Sequence, residues 1–310
     1  MSAGSTPESG RRRLAAPEPG PPSALPRGAQ AGLLDGRTAV VTGAGLGIGA
    51  GIAKALAFHG AALVLVDIDA AALASTAAEI ERIARPAAPG AAGAPPPRTV
   101  VADVTAPGAG ELVHRAARAA GGADVLVNNV GDYRPSGPFL ASTEADWDLI
   151  AALNFRHVLS MTRALLPDMV AGARGAILNV SSVEGLRGIP GNAVYGAMKA
   201  AVASFTASLA AEVGQYGVRV NCLAPDLTDT PQTPLWSTTD ERYADHVGRW
   251  VPVGRFGDPA DHGDAAVFLV SDQSRFVTGV TLRVDGGTLA APGWLRRGGG
   301  GFTNLPRPLR

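Results

Sequence analysis

The sequence predicts an α/β fold, a doubly wound parallel sheet of about seven strands with helices on both faces. Three observations lead there. Short apolar runs alternate with longer helical patterns from Arg37 to Val284, as expected when crossover helices join parallel strands. The runs are apolar at consecutive residues rather than at every second one, the pattern of strands covered on both faces. No internal repeat and no linker-like stretch breaks the alternation, so 31–290 reads as one domain.

The elements follow in order. Thr38-Ala39-Val40-Val41 is the first strand, and a Gly-rich turn leads into a helix over 48–59 with apolar Ile52, Ala55 and Leu56. Ala62 to Val66 is a strand, 70–84 a helix and Thr99-Val100-Val101 a strand. Between the last two, Pro86 to Pro97 is rich in Ala, Pro and Gly and reads as an exposed insertion. A helix at 108–120, a strand at Asp124–Val127 and a long helix at 144–171 come next. Then follow a strand at Ala176–Val180, a long helix at 192–215 and a strand at Val218–Asn221. Residues 225–258 carry Pro225, Pro231, Pro234 and Pro252 and read as an irregular excursion, before a helix at 259–271 and a strand at 279–284. Residues 1–30 hold six Pro and four Gly without a hydrophobic period and read as a disordered tail, while 291–310 is a C-terminal extension.

Hydrophobic residues make up 46% of the 310-residue chain and charged residues 17%, which excludes charge-rich disorder for the body. The net charge of zero divides into +2 for 1–30, −6 for 31–290 and +4 for 291–310. An acidic body argues against nucleic acid as a partner, because phosphate binding needs a basic face. Cys222 is the single cysteine, so no intramolecular disulfide is possible. No apolar run approaches the ~20 residues of a membrane span. Arg11-Arg12-Arg13 is followed by Leu14 to Pro19, which is no apolar signal region. The expectation is a cytoplasmic protein with no membrane partner and no metal.

Two constellations carry chemistry. In Thr42-Gly43-Ala44-Gly45-Leu46-Gly47-Ile48-Gly49, glycines between strand and helix let backbone N–H groups approach a pyrophosphate, and the helix N-terminus adds positive partial charge. Asp67 ends the next strand, where a carboxylate can accept hydrogen bonds from both adenosine ribose hydroxyls. Capping of the following helix is the alternative role for Asp67. In Tyr195-Gly196-Ala197-Met198-Lys199, positions i and i+4 share a helix face. Lys199 is therefore expected to lower the phenol pKa from about 10, so that Tyr195 can exchange a proton with an alcohol. Ser182, thirteen residues upstream of Tyr195 at the end of a strand, can hold the substrate oxygen or merely satisfy the turn.

With these motifs in order, the chain resembles the short-chain dehydrogenase/reductase family over roughly 35–287. The resemblance rests on the turn at Thr42 to Gly49, Asp103-Val104, Asn128-Asn129-Val130-Gly131, Trp147-Asp148 with Asn154, Ser182, Tyr195 with Lys199, Pro225 to Thr230, and Asp285-Gly286-Gly287. It implies a Rossmann-type sheet, NAD as cofactor, and a homo-oligomer, a tetramer. It implies that Gly43, Gly47, Ile48 and Gly49 line the pyrophosphate and that Asp67 takes the ribose. Asp103 and Val104 would hold the adenine, Asn129 and Gly131 border the cofactor, and Thr230 meet its nicotinamide end. Tyr195 would be the general acid/base beside the nicotinamide. Lys199 would bind the nicotinamide ribose, Ser182 orient the substrate oxygen, and Asn154 hold the long helix open for a proton-relay water.

Two positions depart from the family pattern: Val130 stands where Ala is usual, and Asp226 where Gly is usual. Substrate choice falls to Asp132–Leu140, Glu184–Asn192 and 231–258, with Tyr133, Phe139, Leu186, Ile189, Leu235 and Trp236. That mixture suggests a small-molecule partner, a bulky and mostly apolar secondary alcohol or ketone of the alicyclic, terpenoid, steroid or polyketide kind. Arg187 or Arg156 would suit an anionic substrate, but the surface reading is the preferred one for each. The alternatives are an NAD(P)H-dependent ketoreductase, such as a 3-oxoacyl thioester reductase, and a non-catalytic dinucleotide-binding regulator.

Overall fold

The computed structural model describes residues 32–83, 95–235, 247–290, 292–293, 295–297 and 301–303. The expected tail at 1–30 lies outside the described residues, as do most of the Pro86–Pro97 insertion, Trp236, Trp294 and Leu305.

Seven parallel strands form one sheet: β1 (Thr38–Thr42), β2 (Ala62–Asp67), β3 (Arg98–Val101), β4 (Val125–Asn128), β5 (Gly175–Val180), β6 (Val218–Pro225) and β7 (Thr281–Val284). Their spatial order is β3-β2-β1-β4-β5-β6-β7. All six pairings are parallel. The order reverses direction between β1 and β4, which opens a crevice at their carboxyl ends, where ligands of such sheets bind. Both the Gly-rich turn after β1 and the Asn129-Val130-Gly131 segment after β4 border this crevice.

Alternate side chains of each strand feed opposite cores. Ala39 and Val41 point into one with Ile52, Leu56, Leu73 and Val267. That face is covered by α1 (Gly47–Phe58), α2 (Ala70–Ile83) and α8 (Pro259–Val270). Val40, Val64 and Leu126 point into the other with Val113, Leu165 and Leu209. It is covered by α3 (Ala109–Ala119), α5 (His157–Ala171) and α6 (Ala193–Val213). Such burial on both faces explains why the strand sequences are continuously apolar.

The long helix expected at 144–171 is interrupted. It consists of α4 (Glu144–Ala151), a π-helical segment at Ala152–Arg156, and α5. Thr143 and Asp146 form a capping box at the start of α4. By length and composition α6 is long and apolar enough to cross a bilayer. Here it packs on β6 and carries Tyr195 and Lys199. In the irregular excursion, α7 (Val247–Trp250) is the described helix, and the short antiparallel pair β8 (Leu295–Arg296) and β9 (Phe302–Thr303) packs against it.

Candidate active site

The Gly-rich turn presents backbone rather than side chains. Helix α1 begins with no side-chain cap on Leu46 and no acidic residue in its first turn, leaving its first N–H groups available to an anion. A Cβ on Gly49 would stand 2.0 Å from the Gly43 carbonyl oxygen and 2.5 Å from Asn129 Nδ2. Asn129 ties the turn to the end of β4: its Nδ2 donates to the carbonyls of Thr42 and Gly43 at 3.1 and 3.2 Å, and its N–H donates to Thr42 Oγ1 at 3.0 Å. Thr230 stands across the turn, 3.3 Å from where a Gly47 Cβ would be. These features fit a dinucleotide pyrophosphate.

Asp67 does not cap α2. The N-terminal N–H groups of that helix, on Ala71 and Ala72, donate to Asp69 Oδ1 at 2.9 and 3.0 Å. Asp67 instead accepts from Gly45 N–H at 2.9 Å through Oδ2 and from Asp69 N–H at 3.1 Å through Oδ1. Its carboxylate therefore leans over the Gly-rich turn. Asp103 lies past the end of neighbouring β3 and accepts from the N–H and hydroxyl of Thr105. The Val104 side chain belongs to the core, and Ile48 packs partly against the opposite core. Any contact of Val104 with a cofactor is thus through backbone, whereas the Ile48 side chain stays partly exposed.

At the centre of the crevice, the π-helical segment places Asn154, fully buried, against the loop after β4. Its Nδ2 donates to the carbonyls of Asp132 at 2.8 Å and Ile150 at 2.9 Å, and its Oδ1 accepts from Asp132 N–H at 3.2 Å. π-segments concentrate at functional sites because the extra residue re-aims groups in the helix. Lys199 is buried, with Nζ donating to the Val180 carbonyl at 3.1 Å. A Cβ on Gly131 would meet Lys199 Nζ at 2.7 Å and Asn154 Oδ1 at 3.0 Å. The loop after β4, the π-segment and α6 therefore converge on one point.

Tyr195 completes the cluster. Lys199 Nζ lies 5.7 Å from its ring centroid, and the Tyr133 ring meets it edge-on at 6.4 Å. Ser182 stands near enough to the phenol to act on its pKa, and its hydroxyl accepts from Glu184 N–H at 3.1 Å. Ser182 thus serves both its turn and Tyr195. The phenol pKa does not fall as the i, i+4 spacing suggested. Burial pushes it up to about 12, against the lowering effect of nearby Ser182, and the carboxylates of Glu184 and Asp132 raise it further. Burial lowers Lys199 to about 8.

Residues 43–288 match a family model described as enoyl-(acyl carrier protein) reductase. The oxidoreductase UcpA of Escherichia coli is 37% identical over 264 residues, covering 83% of this chain and 96% of that protein. This chain belongs to the short-chain dehydrogenase/reductase family. A 3-ketoacyl-(acyl-carrier-protein) reductase from Brucella melitensis, solved with NADH, has a TM-score of 0.71 and 35% identity over 82% of this chain and 99% of that one. A 3-oxoacyl (acyl-carrier-protein) reductase from Agrobacterium tumefaciens, solved with NADP, has a TM-score of 0.73 and 31% identity over 82% and 94%. Like its family, the chain is an oxidoreductase acting on CH–OH or C=O groups and binding a nicotinamide dinucleotide.

Within this short-chain dehydrogenase/reductase, a cavity of about 140 Å³ borders Tyr195 and is lined by Pro135, Pro138, Phe139, Trp147 and Ile150 among others. Phe139 stacks on Trp147 with ring planes 3° apart, and Trp147 Nε1 donates to Ser142 Oγ at 2.8 Å. Arg156 is elsewhere, lining a second cavity between α3 and α5 that does not include Tyr195. Several supporting roles were not read from sequence. Thr42 Oγ1 donates to the Val127 carbonyl and accepts from Asn129 N–H, joining β1 to β4. His157 is buried with Nε2 3.0 Å from the Val130 carbonyl, and burial and the Lys199 charge lower it to about 4. Asn128 and Asn179 pair across β4 and β5 at 2.9 Å. Asn179, a polar residue within an otherwise apolar strand, was the available signal, since such a group is retained only with a partner.

Proposed function

We propose that this chain oxidises a neutral, mostly apolar secondary alcohol to the ketone with NAD. The observation that carries the chemistry is Tyr195 set beside Ser182, with Lys199 buried against its ring. Gly43, Gly47, Ile48 and Gly49 would hold the pyrophosphate. Asp67 would hold the adenosine ribose, Asp103 and Val104 the adenine, and Asn129, Gly131, Thr230, Tyr195 and Lys199 the nicotinamide half. When bound, the nicotinamide takes or gives the hydride. Ser182 donates to and orients the substrate oxygen, and Tyr195 moves the proton to or from that oxygen. Lys199, cationic at neutral pH, stabilises the phenolate, while Asn154 fixes the π-segment against the β4 loop.

The cofactor preference is supported by the Asp67 geometry. A 2′-phosphate near that carboxylate would bring about two negative charges, each costing roughly 4 kcal/mol at 4 Å and an effective dielectric near 20. The neighbouring Ala44, Gly45, Ile68 and Asp69 supply no cation. Comparing kcat/KM for NAD and NADP on one alcohol tests this. The expected result is a preference for NAD of at least about tenfold, the equivalent of 1.4 kcal/mol, narrowed in Asp67→Ala. Equal values in the parent chain would contradict it.

The lining of the cavity at Phe139, Trp147 and Ile150 supports an apolar, ring-bearing substrate. Ketone reduction is the second reading, favoured by a phenol pKa of about 12. At that value the phenol holds its proton at neutral pH and is ready to donate it. Assembly as a tetramer is supported by exposed Ala197, Ala200, Ala207 and Ala211 on α6 and exposed Leu149 and Leu159 on the facing helices.

A further inference from the structure

We propose that Asp226 and Glu184, by holding Arg187 between them, make this site select neutral over anionic substrates. The proposal rests on the alcohol–ketone reading above and deepens it.

Asp226 stands directly after β6, and its side chain is only 6% exposed. Its carboxylate is therefore turned inward rather than to solvent. Arg187 Nη2 lies 3.1 and 3.3 Å from the two Asp226 oxygens and 2.8 Å from Glu184 Oε1. The Thr288 hydroxyl, from the loop after β7, donates to Asp226 Oδ2. The cluster thus joins the turn after β5, the end of β6 and the loop after β7.

Its position is at the reacting end. Glu184 is two residues past Ser182 and donates its N–H to the Ser182 hydroxyl. The Glu184 charge is felt at the Tyr195 phenol. Two carboxylates against one guanidinium leave one net negative charge. Arg134, beside Tyr133, is likewise paired, with Asp132 at 2.7 and 3.0 Å.

An arginine at the mouth of a site is a fork for carboxylate or phosphate groups. Here the Nε and Nη2 donors of Arg187 are already turned to the protein's own carboxylates, both to Glu184 and Nη2 also to Asp226. An anionic substrate must displace one of them and face the other, whereas a neutral alcohol meets no such conflict. Built-in repulsion of this kind is a common route to specificity.

The test uses the full chain with NAD and a matched pair of alcohols, methyl 4-hydroxycyclohexanecarboxylate and 4-hydroxycyclohexanecarboxylate. The parent is expected to favour the ester in kcat/KM. Asp226→Asn keeps the side-chain volume and an acceptor for Thr288. It is expected to lower the ester-to-carboxylate ratio about tenfold, the effect of one screened charge pair, chiefly through KM for the carboxylate. Glu184→Gln, which leaves Asp226 untouched, should shift the ratio in the same direction. Arg187→Met added to Asp226→Asn should restore the preference for the ester. A parent that prefers the carboxylate, or a ratio unchanged in both single variants, overturns the proposal alone. Absence of turnover of any secondary alcohol by the parent overturns the reading of the reaction and this proposal with it.

Discussion

Tyr195→Phe is expected to lower kcat by about 10²–10⁴-fold, the usual cost of losing a general acid/base. Cofactor affinity should be nearly unchanged. The substitution removes one oxygen from a ring held by Tyr133 and Lys199 on its sides, so packing survives. The parent's pH dependence separates this from a structural effect. With the phenol pushed up to about 12, the protonated form dominates at neutral pH. Alcohol oxidation, which needs the phenol to accept a proton, should accelerate as pH rises, whereas ketone reduction should stay level until the pH nears the phenol's own value. The Phe variant should lose the pH dependence of oxidation. Retention of more than a tenth of the parent kcat would show that another group moves the proton.

Gly49→Ala should abolish cofactor binding at concentrations that saturate the parent. The new methyl would sit 2.0 Å from the Gly43 carbonyl oxygen and 2.5 Å from Asn129 Nδ2. The first contact is backbone and cannot swing aside. The Asn129 amide is the clamp joining the turn to β4. Relief requires opening the turn, which moves the N–H groups away from the pyrophosphate. Overpacking of this kind also costs about 1–3 kcal/mol of stability, visible as a lower Tm. Fluorescence titration with NADH reads the binding loss directly. An Ala variant that binds NADH as the parent does would remove the turn from the cofactor site.

Much of this was legible from sequence because the controlling interactions are local. Strands buried on both faces announce themselves as continuous apolar runs. The turn after β1 needs glycine at fixed spacing, and Tyr195 and Lys199 are one helical turn apart. The break at Ala152–Arg156 was indicated only by what the family resemblance implies for Asn154 and not by the residue pattern, because a π-segment inserts its extra residue without altering the composition of the helix. The partners of Asp226 were hidden for a different reason. Arg187 and Thr288 are 39 and 62 residues away in sequence, and only the packing of three sheet-end loops brings them together. The raised phenol pKa belongs to the same class. Spacing shows which cation stands near Tyr195, but the burial that raises the phenol is a property of the assembled fold.

The central claim is direct hydride transfer from a carbinol carbon to NAD with Tyr195 taking the hydroxyl proton. It is tested most directly with a secondary alcohol such as cyclohexanol carrying deuterium on its carbinol carbon. The expected result is one deuterium on C4 of the NADH formed, delivered to a single face, with none exchanged into water. Turnover that yields NADH without that deuterium, or no NADH from any neutral secondary alcohol, would contradict it.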